Sequence, residues 1–137
     1  MKDPGSETAV LDRLRAVGLR PTRQRLALAK ILFSQGPRHV SAEELFNEAK
    51  AHKINVSLAT IYNALHDFTS KGLLRELSID SMGSYFDTNT SEHHHFFFES
   101  SGKLEDVPLG EVDISSLPKA PRSSSISRVD VIIRLKD

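Results

Sequence analysis

Ser57-Leu58-Ala59-Thr60-Ile61-Tyr62-Asn63-Ala64-Leu65-His66-Asp67-Phe68-Thr69-Ser70-Lys71-Gly72 is the stretch on which the reading of this chain turns. Leu58, Ile61, Leu65 and Phe68 recur at i, i+3, i+7 and i+10, which is one apolar stripe along an α-helix. Ser57 stands at the N-cap position, and Lys71-Gly72 supplies a basic last turn and a closing glycine. With the stripe turned inward, Ser57, Thr60, Asn63 and Asp67 face out, flanked by Tyr62 and His66. Such a helix fits the major groove of DNA. The Thr60 and Tyr62 hydroxyls and the Asn63 amide, which can grip adenine at two points, would then meet base edges. An ordinary helix of a small bundle carries the same stripe, so the flanking sequence decides between the two.

Upstream, Val10, Leu11, Leu14 and Val17 mark a helix from Thr8 to Val17, ended by Gly18, and residues 1–7 read as a disordered arm. A second helix opens at Pro21-Thr22, buries Leu26, Ile31 and Leu32, and stops at Gly36-Pro37. Ser41-Ala42-Glu43-Glu44 is a capping box for a third helix reaching to about Ala51, with Leu45, Phe46 and Ala49 inward. Downstream the period shortens. Leu73–Ile79 and Ser84–Asp87 read as strands around the turn Asp80-Ser81-Met82-Gly83. Helices followed by a hairpin outline a winged helix-turn-helix with Ser57–Ser70 as its recognition helix. Charge supports a polyanion partner: residues 1–78 carry 12 basic and 8 acidic side chains, residues 79–137 carry 6 and 10, and Arg13 to Ala42 contains no acid at all. Arg20, Arg23 and Arg25, at the start of the second helix, are placed for phosphate contacts.

Thr88–Ser91 is a polar hinge. Beyond it, His94–Glu99 and Leu104–Val107 read as strands joined by Ser100–Lys103. Pro108–Ser125 reads as loop with one short turn of helix near Ser115, and the alternation Val129, Val131, Ile133, Leu135 gives a last strand. A sheet of about three strands has open edges that a second copy would cover, so a homodimer is expected. The fold class is α+β: a winged-helix lobe over 1–87 and a small α/β dimerisation lobe over 88–137.

The 137 residues include no cysteine, which excludes disulfides, thiolate zinc sites and cysteine nucleophiles. No apolar run approaches the roughly 18 residues of a membrane span, and the first residues have no signal-peptide pattern, so a cytoplasmic protein is expected. No H-E-x-x-H, phosphate loop or G-x-S-x-G points to an enzyme. The remaining chemistry lies in His93-His94-His95, followed by three phenylalanines. On a strand His93 and His95 share one face, a clamp for Zn, Fe, Mn or Cu, and imidazole also ligates haem. Asp87, Glu92 and His39 are further candidate ligands.

Gly18-Leu19-Arg20-Pro21-Thr22-Arg23-Gln24-Arg25, His39-Val40-Ser41-Ala42-Glu43-Glu44-Leu45, Ser57-Leu58-Ala59-Thr60-Ile61-Tyr62-Asn63 and the run from Tyr85-Phe86-Asp87 to Gly102-Lys103 together resemble the ferric uptake regulator superfamily. Tyr85 to Asn89, His93 to Phe97 and Ile126 to Val131 look most like its iron response regulator branch. The resemblance implies a dimeric regulator of iron and haem genes that binds an A/T-rich palindromic operator. It implies a divalent Mn, Fe or Zn ion on His39, Asp87, His93 and His95, and haem on His93, His94 or His95. It places Tyr62 and Asn63 on bases, Arg20 near the minor groove and Arg25 on phosphate. Phe98 and Ser101 stand where many members carry a C-x-x-C pair, so no structural zinc of the four-cysteine kind is expected. The superfamily's other site, on Glu92, His94 and an acid near Glu111 or Asp113, is broken where Arg128 replaces its last histidine. Direct metal sensing without haem and peroxide sensing through metal-catalysed histidine oxidation are the alternatives. A haem-handling or metal-buffering protein is a third class.

Overall fold

Each helix starts where a hydroxyl can cap it. In the computed structural model, which describes residues 6–80 and 83–137, α1 (Glu7–Ala16) opens on Ser6, whose Oγ accepts the Ala9 N–H at 3.2 Å. Thr22, Ser41 and Ser57 do the same for α2 (Arg23–Phe33), α3 (Ala42–Ala51) and α4 (Leu58–Ser70). Ser6 and Glu7 therefore belong to a helix and not to the expected arm; residues 1–5 of that arm, and Ser81-Met82 of the expected turn, lie outside the described residues.

Three helices end in the same way. After α4 the Gly72 N–H donates to Thr69 O at 3.0 Å and the Leu73 N–H to Phe68 O at 2.8 Å, with Gly72 at φ +80°. Gly18 and Leu19 repeat this after α1. After α3 the left-handed position is held by Lys53 at φ 59°, a conformation in which a side chain is strained.

The chain divides into a unit ending at Thr90 and a unit from Ser91 to Asp137. In the first, α1 to α4 close on a core that includes Leu14, Leu28, Leu32, Leu45, Ile61, Leu65 and Phe68. Leu28 and Ala29 are buried beside Ile31 and Leu32, while Leu26 sits at the margin, because α2 packs on both α1 and α3 and needs a wider stripe. Strands β2 (Arg75–Asp80) and β3 (Gly83–Asp87) form the expected hairpin. A two-residue strand that the sequence reading lacks, β1 (His39–Val40), pairs antiparallel with β3 on its other side, giving the order β1-β3-β2.

In the second unit, β4 (His95–Phe98) is central, antiparallel to β5 (Lys103–Asp106) and parallel to β6 (Ile132–Leu135). The three expected strands are present. The helical turn near Ser115, and with it the α component of the expected α/β lobe, is not formed among the described residues of this unit. Pro108, Pro118 and Pro121 with Gly110 break any helical run in the connection.

Phe68 is fully buried at the centre of the first unit, so Phe68→Ala should cost about 3–5 kcal/mol, read from the urea midpoint. Lys53→Gly should instead raise stability by about 1 kcal/mol in the same assay, by relieving the left-handed residue after α3.

Candidate functional site

Antiparallel pairing sets the first group. His39 lies opposite Asp87, and Asp87 lies opposite Arg75, so one row crosses the β1-β3-β2 sheet. The His39 Nε2 is 3.2 Å from Asp87 Oδ2. The Asp87 side chain is 2% exposed, and its Oδ1 accepts the Asn89 N–H at 2.9 Å, which fixes the carboxylate. Arg75 is buried at the far end of the row.

The second group belongs to the second unit. His93 precedes β4 and His95 begins it; both are buried, with ring centroids 4.4 Å apart. Each Nε2 is 3.4 Å from Oδ1 of Asp106, at the end of β5, where the register sets Asp106 opposite His95. His93 Nδ1 is 2.7 Å from the Ser91 carbonyl. A carbonyl only accepts, so Nδ1 carries the proton, and in the neutral ring Nε2 presents a lone pair. That lone pair faces a carboxylate oxygen. Two acceptors so close repel each other unless a proton or a metal cation lies between them. The donor set, imidazole nitrogen with carboxylate oxygen, fits a divalent transition ion, and the backbone carbonyl behind His93 is the usual support for a metal-binding histidine.

His94 does something else. Its Nδ1 accepts the Val131 N–H at 3.2 Å, so in the neutral ring Nε2 holds the proton. It thus latches the chain entering β6 onto β4. It also lines a cavity of about 410 Å³ with Glu92, Val107, Leu109, Ile126 and Arg128.

On the first unit's outer face, Asn63 and Tyr62 are exposed on α4, and the Ser57 and Thr60 hydroxyls are 3.0 Å apart at its N-terminus. Arg20, Arg25, Thr60 and Asn63 line one groove of about 360 Å³. Arg20 and Arg23 are exposed. Arg25 is engaged: its guanidinium donates to Asp67 Oδ2 and to the Arg20 carbonyl, both at 3.0 Å, bracing α2 against α4. The Tyr62 hydroxyl donates to Glu43 Oε1 at 2.9 Å, and that carboxylate raises the phenol above its ordinary pKa, keeping it a neutral donor.

Asp106 and Arg75 are absent from the sequence reading, and so are the pairings of Glu43 with Tyr62 and of Asp67 with Arg25. Asp106 and Arg75 could have been found only from strand register, and the α3–α4 and α2–α4 pairings only from the packing of the helices.

Comparison with known proteins places the fold and the family. The model of the ferric uptake regulator family matches residues 16–130. The peroxide-responsive repressor PerR of Staphylococcus epidermidis is 37% identical over 100 residues, 73% of this chain and 66% of that protein. The PerR of Staphylococcus aureus is 39% identical over 100 residues, 73% of this chain and 67% of that one. The matched stretch thus spans about two thirds of these relatives. In fold, the chain is similar to the ferric uptake regulator of Pseudomonas aeruginosa with manganese, with a TM-score of 0.68, 21% identity and coverage of 93% of this chain and 96% of that one. The PerR of Streptococcus pyogenes gives a TM-score of 0.51 at 30% identity over 77% of this chain and 70% of that one. With the family matched over most of its length, its winged-helix unit formed and its histidines and carboxylates gathered in the two units, the chain belongs to the ferric uptake regulator family of metal-responsive transcriptional regulators.

Proposed function

We propose that this protein is a dimeric, DNA-binding repressor whose two groups, His39 with Asp87 and His93 with His95 and Asp106, close on one divalent iron or manganese ion. The observation that carries the reading is the His93–His95–Asp106 cluster, in which a backbone carbonyl holds His93 in the tautomer that a metal needs. Three imidazoles and two carboxylates without thiolate suit Fe or Mn, with Zn a competitor for the same ligands. A bound ion favours whichever arrangement of the recognition helices it binds better, and that difference sets how far DNA affinity changes. Tyr62, Asn63, Thr60 and Ser57 read an A/T-rich palindrome, with Arg20 and Arg23 on the backbone. The exposed Leu109, Leu117 and Ile126 of the second unit form part of the surface covered by the second copy.

Peroxide is the signal we favour, because relatives 37–39% identical are peroxide-responsive repressors. Bound iron would supply the redox chemistry, and the chain would supply the imidazole that is oxidised. A second reading, haem sensing in the manner of the iron response regulator branch, is favoured by the cavity beside His94. In that reading the His94 ring would have to give up its bond to Val131 to expose a lone pair at Nε2.

In the double variant His93→Ala, His95→Ala, Mn²⁺ should no longer strengthen binding to an operator-length duplex, whereas it does so for the unsubstituted protein. An unchanged Mn²⁺ response would overturn the site. Peroxide given to the iron-loaded protein should add an oxygen atom to a site histidine, seen by mass and absent from the manganese form. Haem that saturates with a low-spin spectrum and releases DNA would decide for the second reading. Arg20→Ala should reduce the slope of log affinity against log salt by about 0.9 for each phosphate that Arg20 neutralises.

A further inference from the structure

Arg38 adjoins the pair His39 and Asp87 without being part of it. Its guanidinium forms a fork on Glu48 of α3, with Nη1 to Oε1 at 2.8 Å and Nη2 to Oε2 at 2.6 Å. Both side chains are largely withdrawn from water, at 17% and 30% exposure. The Arg38 backbone is tied to the chain just beyond β3: its N–H donates to Thr88 Oγ1 at 2.9 Å, and the Thr88 N–H donates to its carbonyl at 3.0 Å. Arg38 is therefore joined by one peptide bond to His39 and by three hydrogen bonds to the residue after Asp87, the third from the Thr88 hydroxyl to the Arg38 carbonyl at 3.4 Å.

We propose that the Arg38–Glu48 bridge is the brace through which occupancy of His39 and Asp87 reaches the recognition helix, with Arg38 a positioning residue. Strand β1 has two residues and little ladder of its own to resist displacement. A bidentate arginine–carboxylate pair fixes angle as well as distance, which a lysine point charge does not. Glu48 belongs to α3, whose Leu45 and Ala49 pack in one core with Ile61 and Leu65 of α4, and whose Glu43 holds Tyr62. A shift of His39 or Asp87 on binding an ion is thereby passed to α3 and on to the base-reading face. The brace rests on the metal-responsive reading of the protein.

The test uses the full chain carrying Glu48→Gln, with Mn²⁺ as probe. DNA affinity is measured with and without saturating Mn²⁺, along with Mn²⁺ affinity and amide hydrogen exchange of the metal-free protein. The ratio of the two DNA affinities should fall about fivefold, within the usual span of coupling between sites, while DNA affinity without metal stays within about twofold. Exchange at the Val40 amide, which lies in β1, should quicken several-fold. Arg38→Lys, which keeps the charge and loses the fork, should lose part of the ratio, and the swap Arg38→Glu with Glu48→Arg should restore part of it. A ratio equal to that of the unsubstituted protein in both Glu48→Gln and Arg38→Lys would overturn the brace. If the unsubstituted protein shows no Mn²⁺ effect, the metal-responsive reading fails instead, and Val40 exchange decides the brace: unchanged exchange overturns it.

Discussion

Two ladder pairings, His39 with Asp87 and Val40 with Phe86, hold the shortest strand of the protein against the wing. They bring a histidine that precedes α3 next to a carboxylate at the end of β3, 48 positions later in sequence. Val40 and Phe86 are buried in the helical core, so the strand that carries the His39 imidazole is anchored by the same apolar contacts that hold α4. The placement of His39 and Asp87 and that of α4 thus draw on one hydrophobic core, and neither can move far without the other.

The histidine run shows how strand geometry divides labour among identical side chains. Alternation sends His93 and His95 to one face, where Asp106 waits, and His94 to the other, where it accepts a backbone N–H. In His93 and His94, a hydrogen bond at Nδ1 sets which tautomer the ring takes. In the neutral rings His93 is left with a lone pair at Nε2 and His94 with a proton there. Three neighbouring imidazoles thereby become a pair that faces one carboxylate and a latch.

Much of this was legible in the residues. Hydroxyl caps at Thr22, Ser41 and Ser57 and the stripe of α4 are local signals, and the structure carries each of them. The pairs His39 with Asp87 and His93 with His95 could be named from residue type and resemblance, and each pair is adjacent in its own unit. What escaped is non-local. Strand β1 is too short to show a period. Asp106 reaches the histidines only through the register of a hairpin, and Arg25, which looks like a free phosphate ligand in the sequence, is turned to Asp67 by the packing of α2 on α4. The expected helical turn near Ser115 failed because alternation and composition cannot tell a proline-broken loop from a short helix.

The parallel pairing of β4 with β6 has a consequence for how the protein is made. Phe96 lies beside Ile133, and the chain between them must be closed as a loop before the pair forms. Closing such a loop costs entropy that local hairpins do not pay, so pairing of this kind is slow. On the ribosome the four helices and the wing can fold as they emerge, while the hairpin of β4 and β5 waits with one edge open until Ile132–Leu135 has been synthesised. During that interval three consecutive phenylalanines beside an unpaired edge are the part of the nascent chain most exposed to wrong partners. The order of synthesis therefore puts the winged-helix unit in place before the unit that carries His93, His95 and Asp106.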